Sequence, residues 1–215
     1  MAATAHLFYP EDPFRLVGRP LSGPFENGFL LGSDSLGRDV ASGIVHGAKT
    51  SLLIGLIATL VSIFIGIFFG AFAGYFGGRV DDLLMRITEI FQTIPSFIFA
   101  ILLVAIMKPS IFSIVIAIAV VSWPGVARLV RGEVLSLKNR EFVQACHTIG
   151  MSDLRVMLGE ILPNCLSPII VIGSLMVATA ILIESGLAFL GLGDPNIMSW
   201  GFQIGAGRTM LRSAW

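Results

Sequence analysis

Four apolar runs alternate with polar segments along this chain, at about Ser51–Phe76, Ile90–Met107, Ile111–Val130 and Cys165–Ile183. Crossing a hydrocarbon core takes about 20 apolar residues in helical form, and each run reaches or approaches that length. None carries a charge at its centre; Arg128 sits near the exit of the third. Four such runs in one short chain predict an all-α, polytopic membrane protein rather than a soluble domain with four buried helices.

The first run has an internal period. Ala58, Ser62, Gly66, Gly70 and Gly74 recur at every fourth residue and so share one helix face. In lipid, hydrophobicity does not drive helices together, and small residues let backbones approach and gain van der Waals contact. This face is predicted to be a packing seam. Pro95 and Pro124 fall inside the second and third runs and are expected to kink or loosen them.

The segment from Glu141 to Pro163 is a polar island between spans. Leu137 to Ile149 holds neither Pro nor Gly, and Gly150 then stands where a helix ends in a left-handed residue. Ser152 is placed to cap a second short helix, with Asp153 favourable in its first turn. Pro163 permits a break before the next apolar run. Phe142, Ala145 and Ile149 share one side at helical spacing. A helix and turn held outside the bilayer in this way reads as a contact surface for a partner groove, although an amphipathic helix lying on the membrane has the same pattern.

Composition agrees with the membrane setting and narrows the chemistry. Hydrophobic residues are 55% of 215, charged residues 13%, and mean hydropathy is +0.87, outside the range of ordinary globular chains. Net charge is zero, which removes the electrostatic case for nucleic acid. Cys146 and Cys165 read as packing residues rather than a disulfide. His6, His46 and His147 share no metal-ligand spacing, so no metal site is expected. Gly43 to Thr50 nearly fits the phosphate-binding loop, but Ala48 occupies its second required glycine, and the stretch feeds directly into a span. No cofactor is expected on this chain, and no catalytic constellation is visible. Glu184, at the end of the fourth run, is an intramembrane carboxylate and a functional candidate by default, or else a group that caps or orients its helix.

Basic residues give the orientation. Arg79, Arg86, Arg128, Arg131, Lys138, Arg140 and Arg155 fall on one side, and Arg15, Arg19, Arg38, Lys49, Lys108, Arg208 and Arg212 on the other. The first set occupies about half the loop length, and the positive-inside rule places it in the cytoplasm. The first fifty residues then face outward.

The island resembles the cytoplasmic loop of binding-protein-dependent ABC importer permeases, through Glu141, Ala145, Gly150, Ser152, Ile161, Leu162, Pro163 and Asn164. The match is to the peptide and nickel permease subgroup. Leu31-Gly-Ser-Asp-Ser-Leu-Gly-Arg-Asp39, Ala73-Gly-Tyr-Phe-Gly-Gly78 with Asp82 and Met85-Arg86, and Leu187-Ala-Phe-Leu-Gly-Leu-Gly193 before Ser199-Trp-Gly201 resemble it in the same order. Cys146 and His147 depart from the Ala and Arg more usual there, and Glu160 from His.

The resemblance implies a membrane helix bundle of the ABC importer permease type, with residues 1–50 external and 51–215 forming the permease domain around the loop 137–163. Six spans are usual in the subgroup; a span before Leu31 and another after Trp215 are missing here, as in a fragment, a truncated reading frame or an inactive copy. It implies a non-catalytic subunit of the bacterial inner membrane, importing peptides or nickel. Its partners would be a second homologous permease, two cytoplasmic ATP-binding subunits and an external substrate-binding protein. Glu141, Phe142, Ala145, Ile149, Gly150 and Pro163 would dock the ATPase. An ion-gradient-driven secondary transporter is the rival; it predicts buried charges or broken spans at mid-membrane depth.

Overall fold

An unbroken helix, α1, runs from Val40 to Phe76 in the computed structural model, which describes residues 9–210. His6 and Arg212 lie outside those residues. The 37 residues of α1 give a length of about 56 Å, well beyond a hydrocarbon core of about 30 Å. The helix thus begins eleven residues before the expected start at Ser51. The cause is local: the Asp39 carboxylate accepts from Ala41 N at 2.9 Å, satisfying a first-turn amide, and no proline follows before the end. Gly77 and Gly78, at φ 65 and 51°, turn the chain out of the helix. The near-phosphate-loop segment, Gly43 to Thr50, is regular helix within α1 and forms no loop.

The second apolar run is not one helix. An amphipathic helix α2 (Gly78–Thr93) and an apolar helix α3 (Ser96–Met107) meet at a bend of 82°. Ile94 is extended (φ −93°, ψ 132°), the conformation forced on a residue before proline, and Pro95 therefore breaks the chain direction rather than kinking a span. The 12 residues of α3 reach only about 18 Å, so α2 and α3 cross a membrane only as a pair. By contrast α4 (Ile111–Leu137) continues through Pro124 without interruption. Its start is a reciprocal cap: Ser113 N donates to Ser110 Oγ at 3.1 Å and Ser110 N to Ser113 Oγ at 3.0 Å.

After α4 come the short helices α5 (Glu141–Thr148) and α6 (Asp153–Val156), a π-helical turn at Met157–Ile161, and α7 (Leu162–Asn164). The last long helix, α8 (Leu166–Phe189), precedes a short α9 (Trp200–Gly207) and a 3-10 turn at Arg208–Met210. α1, α4 and α8 are each long and apolar enough to span a membrane. Among the described residues there is no strand, only an isolated bridge between Ser33 and Asp39.

The described residues form two compact units, 9–56 with 101–115 and 179–210, and 57–100 with 116–178. In the first, the segment before α1 is a set of turns. The Asp34 carboxylate accepts from Leu36 N and Arg38 N, and Ser33 Oγ donates to Arg19 O at 2.6 Å. Gly37, at φ 81°, packs so tightly that a β-carbon would strike Gly18 O. Those contacts give Ser33, Asp34 and Gly37 their place in the Gly-Ser-Asp-Ser-Leu-Gly segment.

In the second unit α1 lies against α4 along its small residues. β-Carbons at Gly66, Gly70 and Gly74 would collide with Val126, Val130 and Val134 respectively, or with the backbone beside them. Ala58 and Ser62 are buried on the same row, and Ser62 Oγ donates to Ala58 O at 2.8 Å. Beyond the valines the core continues through Val143, Val156, Met157, Ile161, Cys165 and Ile169. Cys146 packs at its edge; both cysteines are free thiols. Trp123 packs between Phe69, tilted at 50° with centroids 4.7 Å apart, and Phe91, edge-to-face with centroids 5.3 Å apart.

Candidate functional site

The turn between α5 and α6 is a complete Schellman motif. Gly150, at φ 83°, follows Ile149; Met151 N donates to Cys146 O at 3.1 Å and Gly150 N to His147 O at 3.0 Å. These bonds occupy carbonyls that a helix end otherwise leaves open. Met151 and Cys146, joined by the outer bond, both pack on the core, the apolar contact that accompanies the motif.

That turn divides α5 into two faces. Val143 and Cys146 point into the core, whereas Phe142, Ala145 and Ile149 face outward, with Phe142 39% and Ile149 77% exposed. Leu154 and Leu158 are also exposed. Phe142 and Ile149 are thus exposed on a short helix and the Gly150 turn that closes it. Glu141 is exposed in the first turn of α5, where a negative charge suits the helix dipole.

Two expectations for this segment need correction. Ser152 has the extended backbone of an N-cap, but its side chain makes no capping bond. Asp153 does the more specific work, accepting from Tyr75 Oη at 2.9 Å, with His147 Nε2 3.5 Å from the same hydroxyl. Pro163 does not mark the break before α8. It lies in the first turn of α7, after the wide π turn, and the interruption falls at Cys165, whose N–H is shared between Ile161 O and Leu162 O. A proline ring crowds the carbonyl one turn back, and a preceding π turn is one way for a helix to accommodate such crowding.

The base of the segment is tied to the spans by polar groups that sequence spacing did not single out. Lys138 Nζ donates to Gly74 O and Tyr75 O at 3.3 and 3.4 Å, a cation at the carbonyl end of α1. Arg131 on α4 makes a two-point ion pair with Asp81 on α2, at 2.5 Å at each contact. Both partners are largely shielded, and the planar fork fits a carboxylate in one orientation. A signal existed for this pair, since a charge at the end of an apolar run calls for a counter-charge. Nothing in the sequence chose Asp81 over Asp82. The pair forms one wall of an open cleft of about 630 Å³, also lined by Asp82, Arg86, Glu89 and Arg128.

Residues 66–210 match the family described as the binding-protein-dependent transport system inner membrane component. The chain belongs to this family. It is 43% identical over 188 residues to the di/tripeptide transport system permease protein of Pseudomonas aeruginosa (strain UCBPP-PA14), covering 87% of this chain and 62% of that protein. It is 45% identical over 192 residues to the oligopeptide transport system permease protein of Escherichia coli (strain K12), covering 88% and 64%. With the dipeptide transport system permease protein of Bacillus subtilis (strain 168) the identity is 42%, covering 86% and 58%. The chain thus spans somewhat under two thirds of the length of these curated relatives. Among solved structures, an inward-facing form of the MetNI methionine ABC transporter matches with a TM-score of 0.64 at 17% identity, covering 78% of this chain and 80% of that one. The fold is therefore that of the matched chain of this ABC transporter, in a multi-pass membrane protein of the inner membrane component family.

Glu184, read from sequence as a functional carboxylate or a group that caps or orients its helix, is enclosed by other segments. It is 1% exposed, one turn inside the end of α8, and hydrogen-bonded to serines from two other segments.

Proposed function

We propose that this chain is the permease subunit of an ATP-binding-cassette importer that carries peptides across the bacterial inner membrane, with nickel as the variant cargo. The observation that carries the reading is the outward apolar stripe of Phe142, Ala145 and Ile149 on a helix closed by the Gly150 turn. The names of the three relatives, all peptide-transport permeases, support the cargo class. In this reading the α5–α6 segment faces the cytoplasm and seats in a groove of a separate ATP-binding subunit. The chain itself binds no nucleotide and no cofactor. A second homologous permease, two ATP-binding subunits and an external substrate-binding protein complete the machine.

The packing suggests how force is received. The inner face of α5 shares one cluster with Val156, Met157 and Ile161 and with Val126, Val130 and Val134 of α4. Close-packed interiors transmit displacement rather than absorb it. A push on the stripe is therefore delivered to α1 and α4 through apolar contact, while Lys138 and Tyr75 keep the end of α1 in register. Alternation between inward- and outward-open states follows when two such permeases are driven together.

The test is reconstitution of the full complex in proteoliposomes with ATP inside and loaded binding protein outside. The expected result is ATP-dependent accumulation of a labelled dipeptide, with competition by Ni²⁺ separating the two cargo classes. Accumulation that needs an ion gradient and proceeds without ATP would overturn the proposal.

A further inference from the structure

Glu184 sits at the junction of three segments. Ser199 Oγ donates to its Oε1 at 2.6 Å, and Ser51 Oγ, from α1, donates to its Oε2 at 3.3 Å. Each serine also accepts a backbone N–H from the first turn of α9: Phe202 N to Ser199 Oγ at 3.0 Å and Trp200 N to Ser51 Oγ at 3.1 Å. A hydroxyl has one proton to give. With its oxygen facing an amide, each serine turns that proton onto a different oxygen of the same carboxylate. Two amides that a helix start leaves without partners are thereby relayed to one acidic group.

The surrounding packing leaves no room for substitutes. Ser51, Ser199 and Glu184 are all buried. A β-carbon at Gly201 would stand 3.1 Å from Glu184 Oε1 and 2.7 Å from Ser185 Cα, and one at Gly47 would stand 3.0 Å from Ser199 C. Trp200 Nε1 donates to Ile44 O at 3.0 Å and Gln203 Nε2 to Val40 O at 3.2 Å. The short α9 is therefore attached to the N-terminal part of α1 by Gln203 at Val40, by the Trp200 indole at Ile44 and, farther along the helix, by the carboxylate through Ser51.

We infer that Glu184 is a positioning residue: through Ser51 and Ser199 its carboxylate holds the first turn of α9 against α1 at Ser51, and uptake depends on that attachment. The role in uptake rests on the proposed permease function and its orientation, which puts this junction on the side that receives substrate; the attachment itself does not.

The experiment has two arms, both on the complete transport complex. Hydrogen exchange of the 199–207 segment is compared in wild type, Glu184→Ala, Glu184→Gln, Ser51→Ala and Ser199→Ala. Glu184→Ala is expected to raise exchange there about tenfold or more while the centre of α4 is unchanged. Glu184→Gln keeps one carbonyl acceptor and is expected to fall between. Adding Ser199→Ala to Glu184→Ala is expected to add little, because the serine acts through the carboxylate. In the second arm, Glu184→Ala lowers the maximal uptake rate about tenfold with half-saturation by loaded binding protein within about threefold. Glu184→Gln recovers part of that rate. Unchanged exchange at 199–207 in Glu184→Ala overturns the attachment whatever transport does. Faster exchange with wild-type uptake overturns the dependence of uptake on it. Should Glu184→Ala not assemble, Glu184→Gln and Ser51→Ala decide by the same readings. If the wild-type complex does not transport peptide at all, the permease reading has failed and the exchange arm still stands.

Discussion

Replacing Gly70 by alanine adds one methyl group where α1 packs closely on α4. The new β-carbon would lie 2.8 Å from Val130 Cβ and 3.0 Å from Arg131 N, and closer still to Ala127 O. Carbon atoms settle at about 3.5–4.0 Å, so the helices must separate by several tenths of an ångström or more. Two of the three colliding atoms are backbone and cannot rotate away. Overpacking of this kind costs about 1–3 kcal/mol. A second effect opposes it, since alanine in a helix interior is favoured over glycine by about 0.5–1 kcal/mol. Gly125→Ala isolates that second effect, because a β-carbon there meets nothing within 4 Å. The assay is thermal or denaturant inactivation of the detergent-purified complex carrying each substitution. Gly70→Ala is expected to be less stable than Gly125→Ala by about the overpacking cost, roughly 1–3 kcal/mol, with Gly66→Ala and Gly74→Ala in the same direction. Equal stability of the Gly70 and Gly125 variants would refute the seam.

Three further outcomes follow from the α5–α6 segment. Gly150→Val forces a β-branched residue to φ 83°, at a cost of about 1–3 kcal/mol; the subunit should insert but lose ATP-dependent uptake, and wild-type uptake together with stimulated hydrolysis would remove the coupling role. Ile149→Asp changes an exposed side chain and should leave assembly of the permease pair intact while reducing co-purification of the ATP-binding subunits; undiminished co-purification would place the docking surface elsewhere. Lys138→Cys, with Cys146 and Cys165 replaced, should resist a membrane-impermeant thiol reagent in intact cells whereas Ser22→Cys should react, and the reverse pattern would invert the orientation.

The burial of Glu184 decides between the two roles that the sequence left open. Enclosed by Ser51, Ser199 and Gly201, it is a structural acceptor that orients its neighbours, and a buried unmade bond there is expensive in a membrane setting. The 82° bend at Pro95 has a comparable consequence: it leaves α2 as an amphipathic helix, whose Asp81 then meets Arg131.

What the amino-acid sequence determined by itself is the part of the fold governed by short-range chemistry. Twenty-residue apolar stretches become helices in lipid because no other backbone satisfies its own hydrogen bonds there. A glycine after Ile149 admits the left-handed turn, and residues four apart share a helix face whatever they later meet. The extent of α1 back to Val40 was hidden because its first eleven residues lack the apolar signature, and Asp39 alone marks the start. The tertiary structure decided everything that depends on partners distant in sequence. Ser51 and Glu184 are 133 residues apart, Asp81 and Arg131 are 50 apart, and Tyr75 and Asp153 are 78 apart. Spacing within a helix fixes directions, but which two side chains share one desolvated position depends on how whole helices pack. Close packing settles this only once every element is in place.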